Sequence, residues 1–262
     1  RVHADSVWMD EDDGINGPLE DFDDGTNFRR ARIGIEGLFS DTSDYRIEID
    51  AAGSGRPSFT DVYTTIKELP CVGNIRIGHY KEPFSLEELT SSRFITFMER
   101  SLPNAFSPAR NMGVSAFNTA ADDSVTWALG WFRTGSDEFG DDVTSDTLNS
   151  PDGEGEQAFT SRVTFNPYYD EGSGGRYLVH IGGAYSFRDA DEGRVSFAST
   201  PELRMRTSSS GIGGSSEGSL PNFVSTGTIA ADHHDLYGLE AAAVWGSLSV
   251  QAEYIAAIVD TS

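Results

Sequence analysis

The chain has 262 residues and a formal net charge of −23, with 19 Lys and Arg against 42 Asp and Glu. Such a surface repels phosphate backbones, which excludes a general nucleic-acid binder, while 11% aromatic residues in regular patterns exclude a disordered acidic chain. No stretch approaches the roughly 18 apolar residues of a membrane helix.

The dominant period along the chain is two. In RARIGIEGLF, Ala31, Ile33, Ile35, Gly37 and Phe39 share one face, and Arg30, Arg32, Gly34 and Glu36 the other. YRIEIDA sets Tyr45, Ile47, Ile49 and Ala51 against Arg46, Glu48 and Asp50. DVYTTIKEL sets Val62, Thr64 and Ile66 against Asp61, Tyr63, Thr65 and Lys67. SVTWALGWF aligns Val125, Trp127, Leu129 and Trp131, and SLSVQAEYIA aligns Leu248, Val250, Ala252 and Tyr254. Strict alternation with charge on the second face predicts half-buried strands. About eleven are predicted, over residues 1–8, 27–39, 44–51, 60–67, 74–81, 113–118, 124–133, 158–166, 176–188, 235–246 and 247–258. No amphipathic helix separates them, so the fold class is all-β and antiparallel.

The connections alternate long and short. The long ones are Met9–Thr26, Ala52–Phe59, Glu82–Met112, Thr134–Gln157 and Asp189–His234. One end of an antiparallel meander is therefore trimmed and the other elaborated, the asymmetry of a transmembrane β-barrel. Periodicity alone does not say which face is inside: a soluble barrel hides its apolar face, and a pore hides its polar one. Trp8, Trp127, Trp131, Tyr177, Tyr185, Trp245 and Tyr254 fall mostly near strand ends on the apolar face, the place of interfacial girdles.

The loops carry the acid excess. Asp10, Asp12, Asp13 and Gly14 loosely follow a calcium loop but lack its full spacing and terminal Glu, so a solvated acidic surface is expected there. Cys71, the single cysteine, forms no internal disulfide and sits in a Leu-Pro-Cys-Val-Gly turn as a buried or incidental thiol. His233 and His234 stand beside Asp232 and Asp235, but neighbours on a strand point to opposite faces and make a poor metal pair. GIGGSS lacks the lysine of a phosphate-binding loop, and no nucleophile elbow is present. No metal, cofactor or enzyme activity is expected.

The interruption Gly78–Gly113, GHYKEPFSLEELTSSRFITFMERSLPNAFSPARNMG, stands out, because loops this long are usually functional or disordered. SLEELTSSRFITFMER has the composition of short helical turns. Lys81, Arg93, Arg100 and Arg110 lie in it or at its edge, and Arg204 and Arg206 stand two apart in PELRMRTSSS. Arg and Lys gathered at a constriction select anions, because guanidinium forks replace lost hydration. The competing reading pairs each cation with a neighbouring acid, as in Glu99–Arg100.

FRRARIGIEG, IRIGHYKEPFSLEELTSSRFITFMERSLPNAFSPARNMGV and the Pro-Glu before Arg204 resemble the phosphate-selective porin O and P family. The resemblance implies a trimeric outer-membrane barrel of about sixteen strands in Gram-negative bacteria, in which the segment after the fifth strand folds inward as the constriction loop. It implies a vestibule role for Arg29, Arg30, Arg204 and Arg206 and a constriction role for Arg93 and Arg100. Glu87, Glu88 and Glu99 crowd the same loop. About eleven strands would leave two unpaired edges in lipid, which is not viable, so residues 1–262 are expected to be one incomplete barrel domain with further strands beyond Ser262 and a constriction loop at about 82–112.

The function expected is passive diffusion of small anions such as phosphate through a water-filled channel. The alternatives are a general or cation-preferring porin, and a non-conducting surface barrel whose acidic loops bind calcium or a partner.

Overall fold

The computed structural model describes residues 1–8, 25–52, 57–134, 156–190, 193–199, 222 and 224–261. In chain order the strands are β1 (Val2–Val7), β2 (Gly25–Ser40), β3 (Ser43–Asp50), β4 (Ser58–Leu69), β5 (Gly73–Lys81), β6 (Arg110–Ala120), β7 (Val125–Arg133), β8 (Gln157–Tyr169) and β9 (Tyr177–Asp189). Four two-residue strands follow: β10 (Arg194–Val195), β11 (Ala198–Ser199), β12 (Val224–Ser225) and β13 (Ile229–Ala230). Last come β14 (His233–Trp245) and β15 (Leu248–Asp260). Between β5 and β6 lie one α-helical turn, α1 (Leu86–Leu89), and a 3-10 helix (Leu102–Phe106).

Eleven strands form one antiparallel sheet in the order β1-β2-β3-β4-β5-β6-β7-β8-β9-β14-β15, and they match the eleven read from the alternation. β10–β13 and β11–β12 are separate small ribbons within the long connection to β14. Sequence reading places no strand there, because a two-residue ladder is too short to show a period. The ribbons do not break the meander: β14 pairs with β9 from His233↔Asp189 to Trp245↔Tyr177 without a register shift.

Which face is hidden is decided by exposure. Ile33 (73% exposed), Leu239 (64%) and Val250 (58%) share the outer face and are left mostly uncovered. On the other face Thr160 and Ser186 are fully buried, Thr65 and Glu240 nearly so. The molecule is thus inverted relative to a water-soluble β protein, with its apolar side unpartnered and its polar side enclosed.

The polar face is concave. Thr160 of β8 donates to Glu82, just past β5, at 2.5 Å, yet a flat sheet would hold those strands about 14 Å apart. The β5–β6 connection touches β2 on one side and β15 on the other: Glu99 pairs with Arg29 and Arg30, while Ser85 and the Glu87 amide donate to Glu253. Flat, β2 and β15 would be about 43 Å apart.

Both small hydrophobic cores sit on this concave side. One joins Phe84 to Val195, Phe197, Ala231 and Leu236; the other joins Tyr80, Phe132 and Ala158. On the outer face aromatic pairs mark both strand ends. Phe39–Tyr45 and Tyr177–Trp245 flank short turns, and Tyr185–Tyr237 and Phe187–His233 lie toward the long connections. Tyr254 is an exception to the expected placement, since it lies mid-strand in β15 opposite Leu239. Cys71 is exposed at the β4–β5 turn, so the buried alternative for it is set aside.

Candidate functional site

The segment between β5 and β6, residues 82–109, crosses the concave face. It is somewhat shorter than the expected 82–112, because β6 begins at Arg110 and pairs at once with Lys81. Its root is fixed by Glu82, which is fully buried. Glu82 accepts from Asn111 at 2.6 Å, Thr160 at 2.5 Å and Arg188 Nη1 at 2.8 Å, and so ties β6, β8 and β9 to one carboxylate. Next, Phe84 packs where Gly238 leaves the β14 wall bare; a Cβ there would lie 3.3 Å from the Phe84 ring. Ser85 then caps α1 by accepting from the Glu88 amide at 3.1 Å, the start of a Ser-x-x-Glu pattern.

Between this segment and β2–β5 lies a cavity of about 470 Å³. Among the described residues, its lining carries eight basic side chains, Arg1, Arg30, Arg32, Arg46, Lys81, Arg93, Arg100 and Arg110, against three acidic ones, Glu36, Glu48 and Asp61. Against a whole-chain charge of −23 this is a local reversal of sign. A cleft lined mostly by one sign of charge favours ions of the other sign.

The expected site residues divide as follows. Arg30, Lys81, Arg93, Arg100 and Arg110 come together in this lining, and Arg29 does not. Arg29 is 5% exposed and is held by Asp5 at 2.5 Å and Glu99 at 2.9 Å, so it backs the cavity wall. Its inward turn comes from a β-bulge: His3 pairs with Arg30 and Ala4 with Phe28, leaving Arg29 as the extra residue. Two consecutive arginines thereby reach one carboxylate, which strict alternation forbids. Arg204, Arg206 and the Asp10–Gly14 loop lie outside the described residues. Among the described residues no group of three or more His, Cys, Asp or Glu is arranged to hold a metal. His233 and His234 separate as expected, His233 against Phe187 outside and His234 buried inside.

Most cavity cations have an acid behind them. Arg30 bonds Glu99 at 2.6 Å, Arg32 bonds Asp50 at 2.6 Å, Lys81 bonds Glu88 at 2.9 Å, and Arg110 bonds Asp61 at 2.9 Å. Arg100 lies 3.2 Å from Glu88 and also donates to the carbonyls of Glu87, Glu88 and Thr90, which knits the two limbs of the segment together. Arg93 differs. It is exposed, its guanidinium lies 5.5 Å from the centre of the Phe94 ring, and it has no carboxylate partner among the described residues. Arg30 Nη1 and Arg1 Nε and Nη2 are buried without hydrogen-bond partners. Among the described residues, these nitrogens and Arg93 are donors without an acid to hold them, and guanidinium forks match the geometry of an oxyanion's oxygens.

In the loop, burial opposes the charge on Glu99, but Arg30 and Arg29 outweigh it and hold its pKa below the ordinary 4.5. Sequence reading put Arg32 and Arg46 on the polar face without assigning them to the site, and it missed Arg1. The signal for Arg1 was present, since it alternates with His3, the partner of Arg30. The Glu82–Arg188 pair, 106 residues apart, left no local signal.

The sequence is similar to known proteins. The family description "phosphate-selective porin O and P" matches residues 1–262. Porin O of Pseudomonas aeruginosa is 28% identical over 251 residues, which is 89% of this chain and 52% of that protein. The chain thus spans about half the length of that curated relative.

Proposed function

The chain belongs to the phosphate-selective porin O and P family, and from that premise we propose that it forms part of an outer-membrane channel for passive diffusion of small anions, phosphate among them. The observation that carries the reading is the enclosed cavity with eight basic and three acidic side chains, set inside a sheet whose apolar face is unpartnered. No bond is broken. Water fills the path, lipid meets Ile33, Leu239 and Val250, and the inserted segment narrows the passage.

Among the described residues β1 and β15 are the edges of the eleven-stranded sheet, and lipid does not tolerate unpaired edges. Closure by further strands to about sixteen, as family resemblance implies, removes both edges. Assembly as a homotrimer belongs to the same reading. Within it Arg93, together with Arg30, contacts the passing anion, while Lys81, Arg100 and Arg110 shape and charge the wall. Arg204 and Arg206 are assigned to the vestibule by resemblance alone.

The test is single-channel current of the full-length protein in a planar bilayer under asymmetric KCl, with phosphate then titrated in. The expected result is anion-selective current that phosphate blocks, with the block weakened about tenfold or more by Arg93→Ala, the loss of one charge-assisted contact. Cation-selective current insensitive to phosphate would discard the anion path. Well-inserted protein with no current would discard the pore.

A further inference from the structure

We propose that the bend of the inserted segment, Arg93–Met98, favours one class among the anions that the basic cavity admits: phosphate monoesters carrying an apolar group the size of a ring. The inference rests on the proposed anion path and names a solute class for it. The bend lies between two anchored points: Glu88, held by Lys81 and Arg100, and Glu99, held by Arg29 and Arg30. Fixed at both ends, it still leaves its large side chains uncovered. Phe94 is 74% exposed, Phe97 70% and Met98 56%. Exposed apolar groups gathered in one place mark interaction sites.

Charge says what kind of solute they meet. Arg93 stands beside these groups, its guanidinium 5.5 Å from the centre of the Phe94 ring, and it lines the basic cavity. Arg30, Arg32, Lys81, Arg100 and Arg110 each bond an acid. Arg93 has no carboxylate partner among the described residues, so its charge is open to a solute.

The bend thus separates two hollows. On the Arg93 side is the basic cavity; on the other, between the segment and β15, is a hollow of about 220 Å³ lined by Phe94, Phe97 and Ile255. Its two acids, Glu87 and Glu253, receive Ser101 and Ser85 with the Glu87 amide. They repel a second anionic head and leave that side to an uncharged body. A solute that suits both sides sets its phosphate at Arg93, whose guanidinium fork matches the oxygens, and its ring against Phe94 and Phe97. Inorganic phosphate engages Arg93 and leaves the rings in water. An uncharged aromatic molecule meets the rings and gains nothing from the basic lining.

The test is read without current. In the detergent-solubilised full-length protein, Met98→Cys places a thiol beside the rings, and Cys71→Ser removes the exposed thiol of the β4–β5 turn. Labelling of the new thiol by a water-soluble maleimide is followed by mass spectrometry. It is expected to be fast, and phenyl phosphate is expected to slow it at a concentration about tenfold lower than inorganic phosphate requires, the order of magnitude of one aromatic contact. Phe94→Ser with Phe97→Ser is expected to abolish that difference, and Arg93→Ala to weaken protection by both phosphates. The substituted side chains are exposed, and retained heat-modifiable mobility on gels certifies that each variant folds. A thiol that maleimide does not reach overturns the proposal, because the bend is then covered by another part of the protein. Equal protection by the two phosphates, or a preference that survives loss of both rings, overturns it as well. Phosphate-blocked current without the ring preference sinks this inference alone, and ring-dependent protection in a protein without current sinks the pore alone.

Discussion

Glu82 shows how a single side chain can fix the root of the inserted segment. It is fully buried and receives Asn111, Thr160 and Arg188, so the root of the inserted segment cannot shift without exposing or orphaning a charge. Breaking a buried pair from one side typically costs about 3–5 kcal/mol, whereas replacing both partners with apolar groups is often neutral. Glu82→Gln is therefore expected to lower the urea midpoint in lipid vesicles and raise open-channel noise, and Glu82→Leu with Arg188→Met is expected to be milder than either single change. Glu99 is the opposite kind of contact, partly exposed and made by a loop. Its pKa lies below 4.5 in the folded state, so its clamp on Arg29 and Arg30 is complete above the ordinary value and fails as pH falls through its own lower one. Current noise is expected to be flat from pH 7 to about 5 and to rise in more acid solution, while Glu99→Gln shows the raised noise throughout. At this scale the sequence was only partly legible. The polar-face arginines followed from parity, but Arg29 turns inward through a one-residue bulge that parity cannot register, and the partner of Glu82 is 106 residues away.

Strands were the most legible elements, because each has one face against protein and one against a different medium, and period two records that difference directly. Their boundaries drifted by up to three residues, most at β6, where Arg110–Met112 continue the ladder with a polar, loop-like composition. The inserted segment was legible as an interruption but its route was not, since the route depends on gaps in distant walls. Glycines supply those gaps. Gly78 has φ +138°, and a Cβ there would meet the Val62 carbonyl at 2.2 Å, so β4 and β5 approach closely only because the side chain is missing. Gly78→Ala is expected to disturb the β4–β5 register and abolish heat-modifiable mobility, whereas alanine at Gly183, where nothing lies closer than 3.7 Å, is expected to be tolerated. The two-residue ribbons β10–β13 and β11–β12 stayed hidden for the reason that makes them useful: they hold Val195 and Phe197 against Phe84 and Leu236 by packing, with almost no ladder of their own.

For the whole molecule, the sequence offered two faces and left open which was inside. Exposure answers the question, and the answer carries a prediction about substitution cost by depth and by face. Leu239 lies at the middle of β14 on the outer face. Leu239→Arg is expected to cost about 2–4 kcal/mol in unfolding from lipid vesicles, Trp245→Arg near the strand end about 0–1 kcal/mol. Gln251→Arg, on the opposite face of β15, is expected to leave stability unchanged and shift only ion selectivity. The organisation also fixes an order in time. Every neighbour in the main sheet except β9–β14 is also a neighbour in the chain, so the wall assembles by local pairing. The inserted segment instead holds Glu253 through Ser85 and Glu87, partners 168 and 166 residues distant, contacts whose loop-closure cost is met only once the intervening wall exists. On the proposed porin reading the passage is then built wide and narrowed last: refolding into lipid vesicles is expected to show an early leaky stage, prolonged by Glu253→Ala, which removes the carboxylate that Ser85 and the Glu87 amide dock on.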